Sequence, residues 1–66
     1  MKEAVYSVPG MHCAHCERAV REEVGIVAGV VSVQVDLPEK LVTVRGGDLD
    51  DARIRAAIEE AGYEAA

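Results

Sequence analysis

Side chains able to do chemistry concentrate in one run, Gly10-Met11-His12-Cys13-Ala14-His15-Cys16. The run joins a predicted strand to a predicted helix, with Cys13 in the loop and Cys16 in the first helical turn. A three-residue offset at a helix start brings the two sulfurs near each other. A helix N-terminus carries roughly half an elementary positive charge and unpaired N–H groups. Both favour thiolate over thiol. A soft monovalent ion held by two thiolates bears a single net negative charge, which the helix terminus also stabilises. Two soft sulfurs without an obvious third and fourth ligand select Cu(I) in the first instance. Structural zinc prefers four ligands.

The neighbours of the cysteines have weaker claims. His12 and His15 would complete a two-cysteine, two-histidine set, but so tight a run wraps a tetrahedron poorly, and His15 on the helix points away from Cys13. They are expected as exposed side chains, or as conditional ligands, one of which approaches the site so that binding or dimerisation changes at about pH 6–7. Met11 has a soft thioether, yet the stronger expectation is that it turns inward and anchors the loop to the core. The cysteines could instead form a buried structural pair or a disulfide. Their loop-to-helix placement beside Pro9-Gly10 favours ligation.

The elements that must position this run follow from periodicity. Glu3–Val8 alternates, with Tyr6 and Val8 on one parity, and reads as a strand ended by Pro9-Gly10. A helix is predicted from about Ala14 to Val27, its stripe being Cys16, Val20, Val24 and Val27. Gly25 loosens its last turn and Gly29 stops it. Val30–Leu37 reads as a strand with Val31, Val33, Val35 and Leu37 on its dry face. A turn at Pro38-Glu39-Lys40 leads to Leu41–Arg45, with Val42 and Val44 inward. Asp48 is the expected cap of a second helix running to about Ala61, with Ile54, Ala57, Ile58 and Ala61 buried and Gly62 as stop. Tyr63–Ala66 leaves room for a short edge strand. The fold class is α+β: a ferredoxin-like βαββαβ sandwich, with a four-stranded antiparallel sheet and both helices on one face.

Composition narrows the function classes. The chain has 66 residues, half of them apolar, and no Phe or Trp. Residues 1–66 are expected to form a single domain with a thin aliphatic core. Seven basic against twelve acidic residues give −5, and aromatic stacking platforms are missing, which argues against a nucleic-acid binder. So short a chain does not easily enclose a deep substrate cleft, so an enzyme is not expected. The start, Met1-Lys2-Glu3-Ala4-Val5-Tyr6, lacks a signal peptide's apolar stretch, and no run approaches the roughly 20 apolar residues of a spanning helix. A cytoplasmic location with reduced thiols is the expectation. The acidic residues Asp48, Asp50, Asp51, Glu59, Glu60 and Glu64 gather on or beside the second helix and read as a solvated face.

Gly10-Met11-His12-Cys13-Ala14-His15-Cys16 closely resembles the Gly-Met-x-Cys-x-x-Cys motif of heavy-metal-associated domains, the family of copper chaperones and of the N-terminal domains of copper-transporting P-type ATPases. Gly29-Val30 and Gly62-Tyr63 resemble two further marks of that family, so the likeness spans the chain. The resemblance implies Cu(I) bound by Cys13 and Cys16, Met11 as a buried support, and Tyr63 as a neighbour of the thiolates. Tyr63 suits a bacterial or archaeal type. His12 stands where Thr or Ser is more usual and argues mildly against zinc.

The implied function is that of a cytosolic copper chaperone. It would pass Cu(I) by ligand exchange to the metal-binding domain of a P-type copper ATPase or to a copper-responsive repressor, and could form a copper-bridged homodimer. A complete protein is expected rather than an excised domain. Two alternatives stand beside it. The same domain could carry mercury, zinc or cadmium, or serve as a transporter module. The Cys-x-x-Cys pair could also serve dithiol redox chemistry, although the length and the surroundings of the cysteines do not suit a thioredoxin.

Overall fold

The computed structural model describes residues 2–66; residue 1 of the expected domain lies outside the described residues. The elements are β1 (Lys2–Ser7), α1 (Ala14–Gly25), β2 (Val30–Asp36), β3 (Leu41–Gly46) and α2 (Asp51–Glu60). The three strands form one antiparallel sheet in the order β1-β3-β2. β3 lies in the middle, pairing Tyr6 with Val42 on one side and Val35 with Val42 on the other. Alternation sends Tyr6, Val42 and Val44 to one face, where they meet Val20 and Val24 of α1 and Ile54, Ala57 and Ile58 of α2. On the opposite face, Val5 is 55% exposed.

Several expectations are corrected. The sheet has three strands among the described residues, not four. Of the segment Tyr63–Ala66, the Tyr63 N–H is still bonded to the Ile58 carbonyl, and Ala66 alone reaches β1, donating its N–H to the Ser7 carbonyl at 2.7 Å. One such bond marks where an edge strand would run but makes no ladder. α1 ends at Gly25, two residues before the expected Val27, as the high conformational entropy of glycine favours. Val27 still packs on the core from the turn that follows.

Val31 is not on the dry face of β2. The register slips between Val30 and Ser32, so Val31 is the extra residue of a bulge and is 66% exposed, while Val30 packs inward. A bulge reverses strand parity at one point, which simple alternation misses. The cap of α2 is Asp50 rather than Asp48; its carboxylate accepts the Arg53 N–H at 3.3 Å. The acidic run is exposed, as expected of a solvated face, and Asp51 makes one further contact from it. The Tyr6 hydroxyl donates to Asp51 at 2.7 Å, and Arg55 bonds the same carboxylate while lying over the Tyr6 ring. Burial, and then the Asp51 carboxylate, push the Tyr6 hydroxyl up to about 12. This cluster ties β1 to the first turn of α2.

The end of α2 sets up the site. Gly62 has φ +95°, Gly62 N–H donates to the Glu59 carbonyl, and Tyr63 N–H donates to the Ile58 carbonyl. This paired-bond helix stop turns the chain sharply and carries Tyr63 back over the domain's end. Gly62→Ala should cost about 1–2 kcal/mol, since a Cβ disfavours that backbone conformation. Denaturant unfolding should show the loss as a lower midpoint with an unchanged slope.

Candidate metal centre

Cys13 is the N-cap of α1, in extended conformation, and its side chain caps nothing. Its carbonyl accepts the Glu17 N–H at 3.1 Å, closing the first helical turn. Cys16 stands three residues on, and these two positions face each other at any helix start, as in a capping box. The Cys13 and Cys16 sulfurs are 3.3 Å apart, and both are free thiols. Cys13 is exposed, whereas Cys16 is half-buried and leans on the core. The pair thus lies at the surface, on the positive end of a helix.

The surroundings of Cys16 favour its thiolate. The His12 backbone N–H is the largest influence, followed by the Tyr63 hydroxyl and the Cys13 thiol, and together they pull the Cys16 thiol from 9.0 to about 6. The Tyr63 hydroxyl is pushed up in return, first by its hydrogen bond to Cys16. Tyr63 reaches this place because its ring lies over Gly10, where a Cβ would come within 3.2 Å of the ring carbon Cδ1.

This arrangement has a pH signature. The fold lowers the Cys16 thiol, so its contribution to stability is fully present above 9.0 and is lost as pH falls through about 6. Thermal unfolding of the reduced, metal-free protein should show that rise with pH, and Cys16→Ser should flatten it. A thiolate absorbance titration should give a step near 6 that Tyr63→Phe moves upward. A native step left at 9.0 would contradict the geometry.

The other residues of the run are placed as follows. Met11 is fully buried among the core side chains, and its N–H donates to the Val8 carbonyl at 3.2 Å. The exposed His12 ring turns away from the sulfurs to Lys40, its Nδ1 lying 3.1 Å from Nζ. His15 is exposed on α1. Among the described residues, no three His, Cys, Asp or Glu side chains converge as a metal cage.

Sequence reasoning missed two contributors. The His12 backbone acts on Cys16, although attention fell on the His12 ring. Lys40 reaches the loop from the β2–β3 hairpin, donating to the Met11 carbonyl at 3.0 Å. Nothing in the linear pattern signals that approach, because 29 residues separate the partners.

Comparison with known proteins agrees with this geometry. The family model described as heavy-metal-associated domain matches residues 5–64. A curated relative, copper chaperone CopZ of Staphylococcus aureus (strain bovine RF122 / ET3-1), is 35% identical, the match covering 97% of both chains. Among solved structures, one titled CopZ metallochaperone superposes with a TM-score of 0.93 at 31% identity, covering 98% of this chain and 100% of that one. A copper-binding domain from HMA7, a P-type ATPase, superposes with a TM-score of 0.91 at 31% identity, covering 100% of this chain and 92% of that one. With its sulfur pair on the first turn of α1 and a family match running nearly end to end, the chain belongs to the heavy-metal-associated domain family.

Proposed function

We propose that this protein is a Cu(I) carrier that takes the ion on Cys13 and Cys16 and passes it to a partner by thiolate exchange. The observation that carries the reading is the sulfur pair itself. Two thiols 3.3 Å apart stand at a helix N-terminus, on the surface, with no converging side chains to make a closed cage among the described residues. Such a donor set suits a soft ion of low coordination number better than a four-coordinate structural zinc. The names of the copper chaperone relative and of the copper-binding ATPase domain support the same choice.

The exposed position of Cys13 matters for transfer. A two-coordinate ion leaves room for an incoming thiolate, so a partner's sulfur can bond to it before Cys13 or Cys16 lets go. The ion passes through three-coordinate states without entering water, and its oxidation state does not change. The partner proposed is a metal-binding domain of a P-type copper ATPase, built on the same fold, or a copper-responsive repressor. This reading makes residues 1–66 one domain, a cytoplasmic carrier and not an enzyme. Among the described residues, no helix is long and apolar enough to cross a membrane.

Competition against a Cu(I)-specific chelator, run beside a zinc titration, tests the proposal. Cu(I) should be bound far more tightly than zinc. Affinity for Cu(I) no greater than for zinc would overturn the copper assignment in favour of a borderline-metal carrier.

A further inference from the structure

Lys40 ends the β2–β3 turn with φ 56°, a left-handed conformation uncommon for a residue with a Cβ. Its backbone is held there at both ends. Its N–H donates to the Leu37 carbonyl at 3.2 Å, and its carbonyl accepts the Val8 N–H at 2.8 Å. From this position the side chain reaches the metal loop, where Nζ is 3.0 Å from the Met11 carbonyl oxygen and 3.1 Å from His12 Nδ1. An ammonium only donates, so His12 Nδ1 accepts and the imidazole proton sits on Nε2.

These bonds close a ring. Val8 N–H donates to the Lys40 carbonyl, Met11 N–H donates to the Val8 carbonyl, and Lys40 Nζ donates to the Met11 carbonyl. The ring joins the end of β1, the metal loop and the hairpin. It also sets a direction. A trans peptide points its N–H opposite to its C=O. Holding the Met11 carbonyl on Lys40 therefore fixes the His12 N–H on the opposite side of that peptide.

We propose that Lys40 is a positioning residue of the metal loop: its ammonium locks the orientation of the Met11–His12 peptide and holds the His12 imidazole at the hairpin, away from the sulfur pair. The inference rests on the carrier reading only for its metal-bound consequences; the lock itself is a property of the metal-free protein. A glycine or asparagine would suit the left-handed turn better, and only the long cationic side chain closes the ring.

The test uses the full chain with Lys40→Met, Lys40→Gly and Lys40→Arg. Glycine suits the backbone at φ 56°, so it guards against a variant that merely misfolds. In the reduced, metal-free protein, the Met11 amide, bonded to Val8 inside the ring, should exchange faster with solvent in Lys40→Met and Lys40→Gly than in native protein or Lys40→Arg. With Cu(I) bound, X-ray absorption should show two sulfur neighbours in the native protein and an added nitrogen in Lys40→Met. Combining Lys40→Met with His12→Ala should remove that nitrogen. Unchanged Met11 exchange in both Lys40→Met and Lys40→Gly would overturn the lock. If the native protein fails to bind Cu(I), the carrier reading falls, and the exchange measurement still decides the role of Lys40.

Discussion

Cys13→Ser should abolish tight Cu(I) binding while leaving the fold intact. The candidate centre has two sulfurs and, among the described residues, no third side chain poised to replace one. A serine hydroxyl is a hard donor and does not ionise near neutral pH, so the ion would keep a single soft ligand. The loss should exceed the roughly 10–100-fold that follows from disturbing a ligand's supporting partner. Stability should change by no more than about 0.5 kcal/mol, because Cys13 is exposed and its side chain caps nothing. Chelator competition and thermal unfolding on the same sample separate the two effects. A serine variant that held Cu(I) within about tenfold of the native affinity, a difference of about 1.4 kcal/mol, would show that the cysteine pair is not the site.

Met11→Ala should produce the reverse pattern, a large loss of stability from a residue of the same loop that lies outside the proposed ligand pair. The side chain is fully buried and lies in the cluster formed by Tyr6, Val8, Val20, Val42 and the two isoleucines of α2. Truncating a buried methionine costs about 2–5 kcal/mol, part from lost transfer energy and part from the void. At about 0.05–0.15 kcal/mol per residue, the whole chain is stable by about 3–10 kcal/mol, so the variant loses a large share of its stability. Its thermal midpoint should fall by at least about 8 °C. Met11→Leu keeps the volume and should cost less than about 1.5 kcal/mol. It should also retain native Cu(I) affinity, since the thioether is packed in the core and not turned to the cysteines. A large drop in affinity for Met11→Leu without a drop in stability would instead make Met11 a ligand.

Both variants act at positions whose surroundings the sequence discloses unequally. The closeness of Cys13 and Cys16 is legible because it is local: a residue at a helix cap and one three positions later face each other in every α-helix. The buried stripes of α1 and α2, and the inward Val42 and Val44, are legible for the same reason, since the helical and strand periods act within a few residues. The place of Tyr63 depends on Gly62, whose left-handed stop is a local signal too.

What periodicity does not carry are the places where distant segments meet. The bulge at Val31 depends on how β2 registers against β3, so alternation put that side chain on the wrong face. The fourth strand is reduced to one hydrogen bond because Tyr63 is still engaged by the helix end, a matter of competition for a single N–H. Asp51, read as part of a solvated face, is drawn to Tyr6 across 45 residues of sequence.

The sequence by itself determined the element order, the helix stripes and the chemistry of the loop, because each is written in residues that are near neighbours along the chain. Only the tertiary structure decided what surrounds the sulfur pair. The turn at Lys40, the peptide after Met11 and the ring of Tyr63 come from three separate parts of the chain, and they converge on the loop that carries the cysteines only once the sheet registers and the core closes. Hydrogen bonds and charges act through space over a few ångströms, and folding sets those separations.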